Sequence, residues 1–156
     1  MENAALNNNL TVTVPDGFHI MDAAEKKKLR FLGNAPTLCI SDPVRHIIVS
    51  LSWKKNFLAS VMLNPGEIVK QMESKLQQPM SEYGYKLREF FQEDLGGLPA
   101  AGFLYSYTAQ DVGMTGESLC AKKGTAFYYI HCYLRQESEE ESLSALKDFF
   151  KSFRWS

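Results

Sequence analysis

The sequence predicts an α+β fold: an α/β/α sandwich on a mainly antiparallel sheet of about six strands, with helices on both faces. Three observations carry this. First, Thr125 to Leu134 is dense in aromatic and β-branched residues, as a pleated strand prefers. Its even positions (Ala126, Tyr128, Ile130, Cys132, Leu134) form one apolar face, and its odd positions (Phe127, Tyr129, His131, Tyr133) form a second, aromatic one. A strand apolar on both faces needs a layer on each side. Second, two segments have helical periodicity: Ile68, Val69, Met72 and Leu76, and later Leu143, Leu146, Phe149 or Phe150, and Phe153. Third, most strand candidates are separated by short turns, and such neighbours pair antiparallel because a parallel return needs a dozen or more residues.

Taken in order, residues 1–9 read as a flexible polar leader and 10–156 as a single domain. Leu10, Val12 and Val14 alternate with Thr11 and Thr13 into the Pro15-Asp16-Gly17 turn, which makes a first strand, and Phe18 and Ile20 continue it after a break. Asp22 caps a short helix through Ala23, Ala24, Leu29 and Leu32, ended by Gly33-Asn34. Leu38-Cys39-Ile40 and Ile47 to Trp53 form a hairpin across Asp42-Pro43. Its second strand sets Ile47, Val49, Leu51 and Trp53 against Ser50 and Ser52.

Asn64 caps the middle helix, with Pro65 at its first position and Glu67 at its third, and Gln78-Pro79 ends it. Residues 83–93 alternate as a strand through Tyr83, Tyr85, Leu87 and Phe91, although Leu87, Phe90, Phe91 and Leu95 would also suit a helix. Strand is preferred, because Gly96-Gly97 then leads directly into Phe103, Tyr105 and Tyr107, a clear strand. Gly113 to Gly116 read as a turn, 117–122 as a shorter strand, and Lys123-Gly124 as the turn into the last strand. Ser138-Glu139-Glu140-Glu141 reads as a capping box for the final helix.

Seventeen basic against eighteen acidic residues leave a formal charge of -1. That argues against a general nucleic-acid binder, which needs a basic footprint. The first ten residues have neither a basic segment nor an apolar run, so no signal peptide is expected, and no apolar stretch reaches the ~20 residues of a spanning helix. Cys39, Cys120 and Cys132 are odd in number and widely spaced, which fits a reducing cytoplasm better than a disulfide framework.

No catalytic or cofactor motif emerges. His131 and Cys132 are neighbours on a strand and point to opposite faces, so they cannot share a metal ion, and no metal site is expected. His46 and Ser50, imagined with Asp42 as a hydrolytic set, would lie roughly 13 Å apart along a strand. Cys39 and Cys132 fall in apolar strands, whereas Cys120 beside Lys122 and Lys123 is the one thiol with an activating neighbourhood. Lys26-Lys27-Lys28 with Arg30 reads as a solvated helix face or a site for an acidic partner, and Glu137 with Glu139 to Glu141 as a helix start.

The stretch after the hairpin stands out more. Trp53-Lys54-Lys55-Asn56-Phe57-Leu58 leads into Ala59-Ser60-Val61-Met62-Leu63, which is apolar yet lies before a capped helix. Such residues are tucked under the helix, the commoner outcome, or displayed to a partner. Display would make Trp53, Lys54, Lys55 and Phe57 a partner-binding set, with aromatic anchors beside rim charges.

Several pieces together resemble the PsbP-like superfamily, which takes in the extrinsic photosystem II subunit, the Ran-binding Mog factor and many bacterial domains. They are Val14-Pro15-Asp16-Gly17-Phe18 after the opening strand, the middle helix, Gly97-Leu98-Pro99-Ala100 running into an aromatic strand, and the Gly124-to-Tyr133 strand followed by a helix closed by Lys151-Ser152-Phe153-Arg154. The resemblance covers residues 10–156, and its motifs are short and mostly structural. It implies an α/β/α sandwich with a binding or scaffolding role and no catalytic residue to carry over. No leader like that of the photosynthetic subunit is expected, and the acidic character of the Ran-binding factor is not matched, so neither specific role is expected to carry over. The expected function is a non-enzymatic, cytoplasmic protein-binding or scaffold domain without cofactor. The alternatives are a small-ligand binder using a cleft lined by Tyr105, Tyr107, Tyr129 and Tyr133, or an unrecognised small hydrolase or thiol enzyme.

Overall fold

A computed structural model describes residues 2–29 and 38–156. The first half contains β1 (Glu2–Ala5), β2 (Leu10–Val14), β3 (His19–Ile20), α1 (Ala23–Lys27), β4 (Leu38–Asp42), β5 (Ile47–Lys55), α2 (Phe57–Met62) and α3 (Pro65–Gln77). The second contains β6 (Lys86–Leu95), β7 (Leu98–Ala109), β8 (Val112–Lys123), β9 (Ala126–Arg135), α4 (Glu139–Lys151) and β10 (Arg154–Trp155). Among the described residues, seven strands pair antiparallel in the order β3-β4-β5-β9-β8-β7-β6, one more than expected. A separate three-stranded sheet runs β1-β2-β10.

The even face of β9 is covered by α4 and the small sheet. Tyr128, Ile130, Cys132 and Leu134 pack there in one core with Val12, Leu146 and Phe149. Phe149, Phe150 and Phe153 form an aromatic cluster with centroids 5.1–6.0 Å apart, Phe153 meeting the other two edge to face. The odd face is covered by α3, whose Ile68 and Val69 meet Ala101, Phe103 and Phe127. The expected sandwich is therefore present. The segment read as a strand over 83–93 is a strand, but β6 runs from Lys86 to Leu95 and Tyr83 ends a 3₁₀ turn over Ser81–Tyr83; Asn64 and Asp22 both close capping boxes with Glu67 and Glu25. Helix α1 ends at Lys27 with Lys28 as its C-cap, so Leu29, expected inside it, falls beyond its end, while the expected Leu32 and Gly33-Asn34 lie outside the described residues.

Four expectations need correction. The polar leader is ordered: β1 pairs with β2, and Leu6 is buried. Asn7 explains why, since its side-chain oxygen accepts from the Asn9 and Leu10 amides while its amide donates to the Tyr128 hydroxyl. The strand Leu10–Val14 belongs to this small sheet, not to the main one. Gly113 to Gly116 are not a turn. The chain reverses at Gln110-Asp111, both with positive φ (50° and 66°), and the glycines lie inside β8. Finally, Ser138 makes no capping hydrogen bond. A 3₁₀ turn over Gln136–Ser138 leads into α4, and Glu139 instead pairs with Arg88 and accepts from the Thr115 hydroxyl. Strand β10, not foreseen, pairs with β2, and the Trp155 indole N–H donates to the Leu95 carbonyl at 2.6 Å.

Phe149 is 1% exposed and central to the α4 interface, so Phe149→Ala should cost about 3–5 kcal/mol, read by urea unfolding. Deleting 138–156 should leave a chain without a cooperative melt; a soluble, cooperatively melting product would contradict the docking described for α4.

Candidate functional site

Two surfaces on the α3 side of the sheet are candidates: an exposed apolar helix face and a groove. The first is α2. Asn56 starts it by accepting from the Ala59 amide at 3.0 Å, and the Asn56 N–H donates to the Thr125 carbonyl. At the other end Lys122 donates to the Ser60 and Leu63 carbonyls at 2.9 and 3.3 Å, a cation where a helix leaves carbonyls free. These polar ties fix the helix so that Ala59 and Leu63 take the inner positions. Phe57, Leu58, Val61 and Met62 point outward, 67–72% exposed. The commoner expectation, that these residues are tucked under the helix, does not hold.

Lys54 and Lys55 are exposed at the end of β5, Lys54 on the α3 side of the sheet and Lys55, two residues on from Trp53, on the other. Cross-strand register places Lys54 in a row with Phe127 and Lys122, and Lys55 in a row with Ala126 and Lys123, so four lysines end the sheet here. No acidic residue occurs between Pro43 and Gly66 or between Ser118 and Gln136. Trp53 does not join the group. It lies on the opposite sheet face, half-buried and stacked on Tyr128 with centroids 6.4 Å apart.

The second surface is a groove of about 380 Å³ between the C-terminal half of α3 and strands β5, β9, β8 and β7. Register sets its floor in three rows: Ser52 and Tyr129, then His131, Ser118 and Phe103, then Tyr133 and Tyr105 with Gly116 between them. At Gly116 an added Cβ would lie 2.0 Å from the Tyr105 ring, so the missing side chain lets that ring lie flat across the sheet. Met72, Lys75 and Leu76 form the helical wall. The helix is held there by Glu73, 5% exposed, which accepts from the Tyr85 hydroxyl at 2.8 Å and from the Gln77 amide. Of the four tyrosines expected to line a cleft, Tyr105, Tyr129 and Tyr133 do so, while Tyr107 stacks on Tyr105 at 5.7 Å.

Ser118 and His131 meet on the floor, with Oγ 2.9 Å from Nδ1, and Ser118 also engages the Tyr105 hydroxyl. Sequence reasoning missed this pair. The two-residue turn Gly124-Thr125 was the available signal, because counting back along both strands sets Ser118 opposite His131. Burial lowers the His131 pKa to about 4 and raises those of Tyr105 and Tyr133, so this floor is uncharged at neutral pH.

The other candidates disperse. Asp42 is buried and accepts from the Val44 and Arg45 amides and the Arg45 guanidinium, which makes it the anchor of the β4–β5 turn. His46 is exposed in that turn with φ 58°. Cys120 is fully buried, and burial pushes its thiol up to about 12, while Lys122 is engaged with α2. This contradicts the activated neighbourhood expected for that thiol. Burial raises Cys39 to about 11 and Cys132 further. Among the described residues no three His, Cys, Asp or Glu side chains converge as metal ligands, and no helix is long and apolar enough to cross a membrane. Of the basic run, Lys27 and Lys28 are exposed and Arg30 lies outside the described residues. An open acidic depression over residues 136–141 and Ser144 gathers no buried polar group.

No family profile matches the sequence, and no curated protein matches it. Solved structures do match the fold. Cyanobacterial PsbP (CyanoP) from Synechocystis superposes with a TM-score of 0.66 at 10% identity, covering 95% of this chain and 87% of its own. LpqN of Mycobacterium tuberculosis, described as involved in cell envelope biogenesis, gives 0.65 at 13% identity, covering 96% and 86%. The Ran-binding protein Mog1p of Saccharomyces cerevisiae gives 0.60 at 12% identity, covering 98% and 94%. At these identities the likeness establishes the fold, which is PsbP/Mog1p-like.

Two buried groups set opposite pH dependences. Glu117, on the α4 face, has its pKa raised to about 7 by burial and by Glu93, against an opposing pull from Lys147, and one of its oxygens has no hydrogen-bond partner. The fold favours its protonated form, so that contribution is present below the ordinary 4.5 and is lost as pH rises through 7. His131, lowered from 6.5, contributes stability above 6.5 that is lost as pH falls through 4. Between 4.5 and 6.5 the two slopes oppose each other. Glu117→Gln should therefore gain about 1–3 kcal/mol on wild type between pH 5 and pH 8. Urea unfolding at both values checks this, and an equal difference at both would contradict the buried carboxyl. Gly116→Ala should cost about 1–3 kcal/mol by displacing the Tyr105 ring. Pairing it with Tyr105→Leu should recover part of that loss in thermal melts.

Proposed function

We propose that this chain is a non-enzymatic, cytoplasmic binding domain that docks a protein partner through the outer face of α2 together with Lys54 and Lys55. The observation that carries the reading is the exposure of Phe57, Leu58, Val61 and Met62 on a helix of only six residues. Contiguous exposed apolar side chains rimmed by charge are typical of interaction sites. The lysine-rich, acid-free surroundings indicate the partner's chemistry: an apolar pocket for Phe57 inside an acidic rim. Trp53, originally grouped with these residues, is left out because it packs against Tyr128. A scaffold of this fold serves protein binding in one structural neighbour, named for binding Ran. Three free, buried cysteines support a reducing compartment, and the scattered Asp42 and His46 and the buried thiols support a role without catalysis.

The test replaces Lys54 and Lys55 by Glu and Phe57 by Ser. Because all three are exposed, stability should stay within about 1 kcal/mol of wild type. A photo-crosslinker at Val61 identifies the partner, and affinity is then measured with both purified proteins at two salt concentrations. The triple variant should lose binding, and the wild-type affinity should fall as salt rises. Undiminished binding by the triple variant would sink this reading, as would binding to anionic phospholipid vesicles without any protein partner.

A further inference from the structure

We propose that the groove over β8 and β9 is a binding site for a flat aromatic carboxylate. Its ring lies among Tyr105, Tyr129 and Tyr133, its carboxylate meets Lys75, and a polar group on its far edge reaches His131. The volume of about 380 Å³ falls within the range of small-molecule pockets and suits a bicyclic body rather than a peptide segment. Aromatic and thioether side chains line the walls, offering the faces that stack on a planar ring.

The polar groups are two: His131 on the floor, between Tyr129 and Tyr133, and Lys75 on the helical wall. Ser118 holds His131 through Nδ1. The other ring nitrogen, Nε2, has no hydrogen-bond partner among the described residues and is not among the buried unsatisfied atoms, so it is accessible from the groove. A neutral imidazole there makes one hydrogen bond to a hydroxyl or ring N–H. At the rim, Lys75 is the one lining residue with a formal charge, and no carboxylate lines the groove. A ligand with an anionic end and a polar, uncharged end matches that polarity in one orientation.

The site is separate from the α2 face, and its test is kept separate. The probe is 6-hydroxy-2-naphthoate, titrated into the isotope-labelled full chain and followed by amide shifts. Saturable binding should shift Lys75, Ser118, Tyr129 and His131. Lys75→Glu, at an exposed helix position, should weaken the probe by about tenfold or more while leaving 2-naphthol, which lacks the carboxylate, within about twofold. His131→Phe should weaken the probe but leave 2-naphthoate, which lacks the hydroxyl, within about twofold. Phe57→Ser should change neither. The proposal is overturned by no saturable shifts at about 1 mM probe, or by shifts confined to α2 and abolished by Phe57→Ser. Equal affinity of the Lys75→Glu variant for the probe overturns it too. Because Lys75 is exposed, that last comparison stands even if His131→Phe fails to fold.

Discussion

Strand β9 presents apolar surface on both of its faces, and both must be taken out of water. Tyr128, Ile130, Cys132 and Leu134 on one side and Phe127 on the other are all essentially buried. Burying such side chains contributes about 1.5–3 kcal/mol each, which makes a strand of this kind the natural centre of a sheet. The rest of the architecture supplies the cover. Helix α4 and the three-stranded sheet close the even side, and α3, pinned by Glu73 and Tyr85, closes most of the odd side. Cover on the odd side stops short of Tyr129, His131 and Tyr133, which remain half-buried, and the groove is the space left over.

Helix α2 illustrates a different balance. Its orientation is set by polar ties at both ends, Asn56 and Lys122, rather than by burial of its larger side chains. The inner positions go to Ala59 and Leu63, so Phe57 has nowhere to turn but solvent. Evolution of a purely structural connection would exchange such outward residues for polar ones at little cost, since surface substitutions usually change stability within about 0.5 kcal/mol. Their outward placement is the observation on which the proposed docking face rests.

How far the sequence could be read depended on whether a feature was local. The capping boxes at Asn64 and Asp22, the alternation of β5 and β9, and the strand character of 83–93, though not its bounds, rest on neighbours within a few positions and were legible. Misreadings arose where a distant group overrode local preference. Gly113 and Gly116 look like turn residues, yet Gly116 is small to admit Tyr105 from the next strand. Ser138 looks like a cap, yet Glu139 is recruited by Arg88, 51 residues away. Asn7 looks like leader, yet its amide reaches Tyr128. At the candidate site, the exposure of Lys54, Lys55 and Phe57 was legible as one of two options. The departure of Trp53 to the other face follows from strand alternation alone, and so does the burial of Cys120 beneath α3. The Ser118–His131 pair needed the turn placed at Gly124-Thr125; read one residue earlier, at Lys123-Gly124, it sets Ser118 opposite Tyr129 instead.

The three-stranded sheet joins positions far apart in the chain, with Leu10 opposite Trp155 and Thr11 opposite Arg154. Its middle strand carries Leu10, Val12 and Val14, all buried at the end of folding. Closing so long a loop is entropically slow, and such distant pairings lower folding rates. While the chain is being made, this early apolar strand must wait for the last residues described here before its second edge is paired. During that interval it is an open template for another copy of itself, so the yield of this protein in a cell depends on synthesis rate and chaperone supply more than its final stability would suggest.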